Sequence, residues 1–476
     1  MTGPHAGHFR LNMWKMRIEN LKPFIDQRSD PSQLEQIRQL LNEQETSIVA
    51  LDDDPTGTQT VYQVPVLTSW NAEDFEQILM EKVPLFYVLT NTRSMTASEA
   101  RKVNIEIGTN LKIAGLKTGR KLKIISRSDS TLRGHYPLEI HALKQAMDME
   151  DSVEVLVPAF IEGGRFTFEN MHYVQEESVL VPASETTFAR DKVFGFQNSS
   201  LPEWVLEKYQ NALKLKDIFS LSNQEISAYG HEQLVQILDN LKEKVLILNA
   251  VSYFELEKAA LALHLSKKNF IYRTAASFVR AFSGLGPRAT LAANELVHGQ
   301  NGGLVVLGSY VKKSSDQLEQ LLKNKSIKPF EVKVKEILHT SADNYLKQLS
   351  KEVNRNIGNG ADVLVYTSRE LVSGASDQEN LDIGNQVSSA LVRIIHSLEH
   401  RPRYLIAKGG ITSSDIATKG LGIKKARVLG QAIPGVPVWL TGDEALFKGM
   451  TYIIFPGNVG SSSDLSDLVL KLKHNP

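Results

Sequence analysis

The stretch SIVALDDDPTGTQTV, Ser47–Val61, decides how the rest of the chain is read. Ile48–Leu51 is a short apolar run with the length and composition of a buried strand. Asp52, Asp53 and Asp54 come at once after it, and then Pro55, Thr56 and Gly57. Three like charges at one strand end repel one another, and each prefers water to an apolar core. Their crowding favours at least one carboxyl titrating above the usual range. Such a cluster points to a ligand, because open α/β sheets bind ligands beyond the carboxyl ends of their strands.

Working outward, short apolar runs alternate with longer amphipathic ones. Strands are predicted at Ser47–Leu51, Leu85–Leu89, Leu122–Ile125, Glu154–Val157 and Val245–Leu248, and again at Leu304–Leu307, Val363–Tyr366, Tyr404–Ala407, Val436–Leu440 and Tyr452–Phe455. Helical patterns lie between, at Ala97–Leu116, Gln317–Lys323 and Asn385–Glu399. This alternation predicts two α/β domains with mainly parallel sheets, helices on both faces and a cleft between the domains. Residues 1–45 read as an N-terminal extension, 46–285 as the first α/β domain and 286–476 as the second. A polar, aromatic-spotted segment, 158–216, reads as a loop or β insertion in the first.

Composition narrows the function classes. Lys+Arg and Asp+Glu are 54 each, which argues against a general nucleic-acid binder. With no cysteine, thiolate catalysis and disulfides are excluded. No apolar run reaches the ~18 residues of a membrane span. A cytoplasmic location is expected. The expected partner is a small molecule, with no nucleic acid and no membrane, and a homodimer is admitted.

The strand ends carry the chemistry. TNTRSMTASEA, Thr90–Ala100, succeeds the second strand; Thr96 and Glu99 have capping-box spacing, which places Arg93 in the loop before a helix. SRSDSTLRGH, Ser126–His135, succeeds the third with Ser128, Asp129 and Arg133, and PAFIEGGR, Pro158–Arg165, succeeds the fourth. Guanidinium groups beside carboxylates and hydroxyls suit a small, anionic, hydroxyl-rich ligand, since arginine grips a carboxylate in a two-pronged fork. In the second half, three glycine turns come after strands: LGSY with Ser309, AKGGITSSD with Gly409, Gly410 and Thr412, and FPGNVGSSSD with Gly457 and Asn458. Such turns let backbone N–H groups approach phosphates. No G-x-x-x-x-G-K-[ST] occurs, and G-x-G at Gly358–Gly360 precedes its strand, so it is no dinucleotide fingerprint. His135, Glu139 and His141 lack the spacing of a zinc-protease helix, and no protein-only metal site is expected.

These motifs together resemble the four-carbon acid sugar kinase family, which includes the ATP-dependent threonate, erythronate and 3-oxo-tetronate kinases. The resemblance runs from about Ile48 to Asp464 and rests on DDDPTG, TNTRS, SRSDSTLRGHYPLE, TTFARD, YRTAASF, AKGGITSSDIA and PGNVGSSSDL. It implies a sugar acid held by Asp53, Asp54, Arg93, Ser128, Asp129 and Arg133, and ATP with Mg²⁺ held at Ser309, Gly409, Gly410, Thr412, Gly457 and Asn458. Asp53 or Asp54 would be the catalytic base, and Arg133, helped by Arg93, would hold the substrate carboxylate. The chain departs from the family pattern at Asp54-Pro55, at Ile411 and at Phe455-Pro456, where the family carries Lys-Ser. One phosphate-facing cation is therefore missing, and Lys408 is a candidate to replace it. Two other readings exist. VALDDDPT fits the nucleophile strand of haloacid-dehalogenase-type phosphatases, with Asp52 attacking and Asp54 as acid/base, although TGDEA (Thr441–Ala445) is the only near match to its later acidic pair. The third reading is a non-catalytic sugar-acid-binding protein.

Overall fold

Thr46–Asp52 is a strand buried along its whole length, as expected of a parallel strand covered on both faces. The computed structural model describes residues 15–338, 342–369 and 377–473. Contacts divide them into two units. The first holds the described residues up to Asp53, Trp70–Phe86 and Met95–Gly286; the second holds Asp54–Ser69, Tyr87–Ser94 and the described residues from Pro287 onward.

In the first unit six strands run parallel in the order Ile218–Leu221, Val245–Leu248, Val153–Val157, Phe270–Thr274, Lys121–Arg127, Thr46–Asp52. All their carboxyl ends therefore share one edge. Helix Ala97–Thr118 begins with the predicted capping box: the Thr96 hydroxyl accepts from Glu99 N at 3.3 Å, and Thr96 N donates to the Glu99 carboxylate at 2.9 Å. The insertion is a small antiparallel sheet, Arg165–Phe168, Met171–Glu176 and Val179–Pro182, with Met16–Arg17 added at its edge. Leu21, Phe166, Tyr173, Leu180 and Val251 form its own core.

The second unit carries a mixed sheet. Val64–Leu67, Lys425–Ile433, Val436–Thr441 and Thr451–Phe455 join antiparallel; Leu405–Lys408, Leu304–Leu307, Asp362–Thr367 and Ile327–Val332 continue it in parallel. Its core stacks Val305, Leu307, Leu364, Ile406, Ile453 and Phe455. Burying such side chains contributes about 1.5–3 kcal/mol each.

Both halves are α/β with mainly parallel sheets, as predicted, and all ten predicted strands are present. Two boundaries matter. The third strand runs on to Arg127, and the helix after Leu304–Leu307 starts at Lys312, five residues before the pattern suggested.

Candidate functional site

The three aspartates part company. Asp52 ends its strand 2% exposed, and its carboxylate meets Arg127 Nη1 at 2.7 Å. The arginine can end a buried strand because this pair neutralises it; breaking such a pair from one side costs about 3–5 kcal/mol. Asp53 is also buried and lies 3.9 Å from the same guanidinium. Asp54 belongs to the second unit. It caps the short turn Pro55–Thr58, accepting from Thr56 N at 2.9 Å and from the Thr56 hydroxyl at 2.5 Å.

The first unit gathers Asp53, Ser128, Asp129 and Arg133. Gly134 adopts φ +117°, and a Cβ there would sit 3.3 Å from Asp53 Oδ2 and 3.8 Å from Ser128 Oγ. Arg133 Nε donates to Asp129 Oδ2 at 2.8 Å, and Nη1 lies 3.5 Å from Asp191 Oδ2. The guanidinium also lies 5.1 Å from the Phe188 ring centre, with Arg165 at 5.9 Å from the same ring. Arg273, 1% exposed, donates to the carbonyls of Asp129 and Arg133 at 3.2 and 2.9 Å and so shapes this loop. Burial pushes its pKa below the usual arginine value, while Asp53 and Asp129 oppose the shift. His172, from the insertion, bonds Ser130 O through Nε2 at 2.7 Å and the Thr167 hydroxyl through Nδ1 at 3.0 Å. Burial lowers its pKa to about 4, so it is neutral; Nε2 donates to the carbonyl and Nδ1 accepts. A cavity of about 530 Å³ opens beside this loop, lined in part by Thr96, Gly134, His135, Phe194 and Lys208.

The second unit gathers Asp54, Arg93, Ser309, Gly409, Gly410, Thr412, Gly457 and Asn458. Four parallel strands end together here, and their turns touch. A Cβ on Gly409, whose φ is +112°, would lie 2.8 Å from Ser309 Cβ; one on Gly308 would lie 2.6 Å from Thr412 Oγ1; one on Gly457 would lie 3.6 Å from Ser309 Oγ. A Cβ on Gly410 would lie 2.9 Å from Asp54 Oδ2. Arg93 Nη1 is 3.6 Å from that carboxylate, so Arg93 sits with Asp54, whereas Arg133 belongs to the other unit. Asn458 is exposed.

Lys408 points inward. It is fully buried, its ammonium donates to Pro456 O at 2.5 Å and Gly457 O at 3.2 Å, and it lies 4.3 Å from the Phe455 ring centre. Burial first, and Lys313 second, lower its pKa to about 7. It clamps the last glycine turn from beneath. Phe455 and Pro456 supply the ring and one of the carbonyls it uses.

Sequence reasoning missed Arg369. Its Nη1 donates to Ser309 O at 2.8 Å, it also bonds the Ser315 hydroxyl, and it lies 5.0 Å from the Tyr310 ring centre. Its position just past the carboxyl end of the strand at Val363–Tyr366 was the signal that could have found it. Helix Lys312–Leu322 adds Lys312 and Lys313 in a first turn with no acidic residue and no side-chain cap, an arrangement that favours an anion.

A sugar-binding N-terminal domain matches residues 48–282, and a nucleotide-binding C-terminal domain matches residues 304–465. The chain belongs to the four-carbon acid sugar kinase family. Its acidic and arginine-rich loops thus fall in the family's sugar-binding domain and its three glycine turns in the nucleotide-binding one. Among solved structures, a Salmonella typhimurium LT2 protein, described provisionally as a tRNA synthase, is 18% identical over 90% of this chain and 99% of its own, with a TM-score of 0.66. A Haemophilus influenzae protein from a family of unknown function is 18% identical over 89% and 99%, with a TM-score of 0.62. At that identity the likeness shows the fold. No curated protein matches the chain. No helix among the described residues is long and apolar enough to cross a membrane.

Proposed function

We propose that this protein is a cytoplasmic kinase that transfers the γ-phosphate of ATP to a hydroxyl of a small sugar acid. The observation that carries this reading is the approach of the Asp54 carboxylate to the Gly410 turn. A carboxylate at a turn suited to phosphates is poorly placed for binding them alone; it is well placed to receive the proton of a hydroxyl that attacks one. Asp54 acts as the base, and Thr56 and Arg93 hold its orientation. Asp53, the preceding residue, aligns the sugar hydroxyls with Ser128 and Asp129. Arg133, stacked on Phe188, takes the substrate carboxylate. Backbone N–H groups at Gly409–Gly410 and Gly457–Asn458 cradle the phosphates, and Arg369 adds positive charge beside Ser309. Phosphoryl transfer needs this positioning and charge neutralisation more than covalent chemistry. Mg²⁺ supplies further neutralisation as part of the ATP complex. Among the described residues no three His, Asp or Glu side chains are arranged to hold a metal, so the ion would be carried by the ATP phosphates.

The phosphatase reading requires Asp52 to attack phosphorus. A carboxylate 2% exposed and 2.7 Å from a buried guanidinium is poorly available for that. The test is ADP formation from Mg-ATP across four- to six-carbon sugar acids. Turnover with at least one acid supports the kinase. Phosphate release from a generic ester without ADP formation indicates the phosphatase, and acid binding without ADP indicates the non-catalytic binder.

A further inference from the structure

The acidic and arginine-rich loops lie at the carboxyl edge of the first unit's sheet. At its amino edge, where Val153–Val157 and Val245–Leu248 begin, lies a larger cavity of about 810 Å³. Ligand sites of small organic molecules fall in this size range, and the kinase chemistry makes no use of this one. Its walls have two characters. Leu213 and Leu241, both nearly fully buried, and the Tyr209 ring give it an apolar side. Lys144, Lys242, Lys244 and Lys268 supply cations, with Glu150, Asp151 and Glu243 also in the lining.

The wall is held in place from behind. Tyr209 OH donates to Glu154 Oε2 at 2.8 Å, and His141 Nε2 lies 3.2 Å from the same hydroxyl. Glu154 is fully buried on its strand, and burial raises its pKa against the opposing hydrogen bonds of Tyr136 and Tyr209. Lys144 Nζ donates to Ser152 O at 2.7 Å, and Lys268 bonds Leu241 O, which fixes two of the ammonium groups at the cavity. Burial lowers the Lys144 pKa; Glu154, Asp151 and Glu150 each oppose the shift, and the like charge of Lys244 adds the smallest contribution. An anion would pair with the ammonium groups in the lining, and a flat ring would cover Tyr209 and the two leucines.

We propose that this cavity is a second ligand site, for a small aromatic molecule bearing a phosphate, with the ring on Tyr209, Leu213 and Leu241 and the phosphate toward Lys242 and Lys244. Pyridoxal 5′-phosphate is the probe. Its aldehyde forms an imine with an unprotonated lysine, losing water, and borohydride then delivers hydride to fix the adduct. The full chain is labelled without nucleotide, and the labelled lysines are mapped by mass spectrometry. Expected is label on Lys144, Lys242, Lys244 or Lys268 about tenfold above exposed lysines such as Lys82 and Lys351. The double variant Lys242→Glu, Lys244→Glu should raise the half-labelling concentration of the two remaining cavity lysines about tenfold, at an unchanged melting temperature. Label spread over surface lysines in proportion to exposure overturns the proposal. So does a double variant labelled at Lys144 and Lys268 as the wild type is. The readout is labelling rather than turnover, so it stands or falls separately from the kinase reading.

Discussion

Asp54→Asn isolates the proposed proton acceptor with little disturbance of the fold. Asn keeps an oxygen for Thr56 N and for the Thr56 hydroxyl, which now bond Asp54 at 2.9 and 2.5 Å, so the cap on the Pro55–Thr58 turn survives. The structural loss is the ion pair with Arg93, 3.6 Å long between side chains that are each 19% exposed. Such a pair is worth at most about 1 kcal/mol, and the melting temperature should fall by less than about 3 °C. The chemical loss is the base. General-base catalysis contributes about 10²–10⁴ in rate, or about 2.7–5.5 kcal/mol of barrier. Steady-state ADP production with a substrate acid gives kcat, and calorimetry gives ATP affinity. The expected variant turns over about 10²–10⁴-fold more slowly while its ATP dissociation constant stays within about threefold. Retention of more than about a tenth of the wild-type kcat, or an equal loss of ATP binding, refutes the role given to Asp54.

Gly410→Ala would place a methyl group 2.9 Å from Asp54 Oδ2 and push the carboxylate aside by roughly 0.5 Å; kcat should fall about tenfold with the fold intact, since small misplacements are costly in pre-organised sites, and kinetics paired with a melting curve checks both halves. Gly134→Ala combines a φ of +117° with a contact to Asp53; strain of about 1–3 kcal/mol should raise the KM for the sugar acid and leave ATP affinity unchanged, as titrations of each ligand will read. His172 has a folded pKa of about 4 against an ordinary value of 6.5. Because the folded value is depressed, the unfolded chain binds more protons in this window, and the stability this group contributes is full above pH 6.5 and lost as pH falls toward 4, by about 3 kcal/mol in all. Denaturant titrations from pH 7 to 4 should show that slope, and His172→Gln should flatten it.

Val245–Leu248 and Leu304–Leu307 were legible end to end because each is a parallel strand, buried along its length, that reads as an unbroken apolar run. Phe270–Thr274 escaped notice because it carries Arg273, whose charge is balanced by carbonyls and acids far off in sequence. Lys425–Ile433 escaped because it alternates buried and partly exposed residues and includes Lys425, Arg427 and Gln431. The strand-end rule picked out the loops at Asp52–Asp54 and Ser126–His135 and the glycine turns. It could not say which aspartate faces Arg127 and which faces Gly410, because that depends on contacts between residues far apart along the chain. Lys408 makes the same point: its position beside Gly409 was readable, but its inward direction is set by the carbonyls of Pro456 and Gly457.

The most direct measurement is a crystal structure of the protein with Mg²⁺ and a non-hydrolysable ATP analogue. The account predicts phosphates seated on the backbone N–H groups of Gly409–Gly410 and Gly457–Asn458, with the terminal phosphate toward the Asp54 carboxylate. A nucleotide bound away from these turns, or one whose terminal phosphate points away from Asp54, would contradict it.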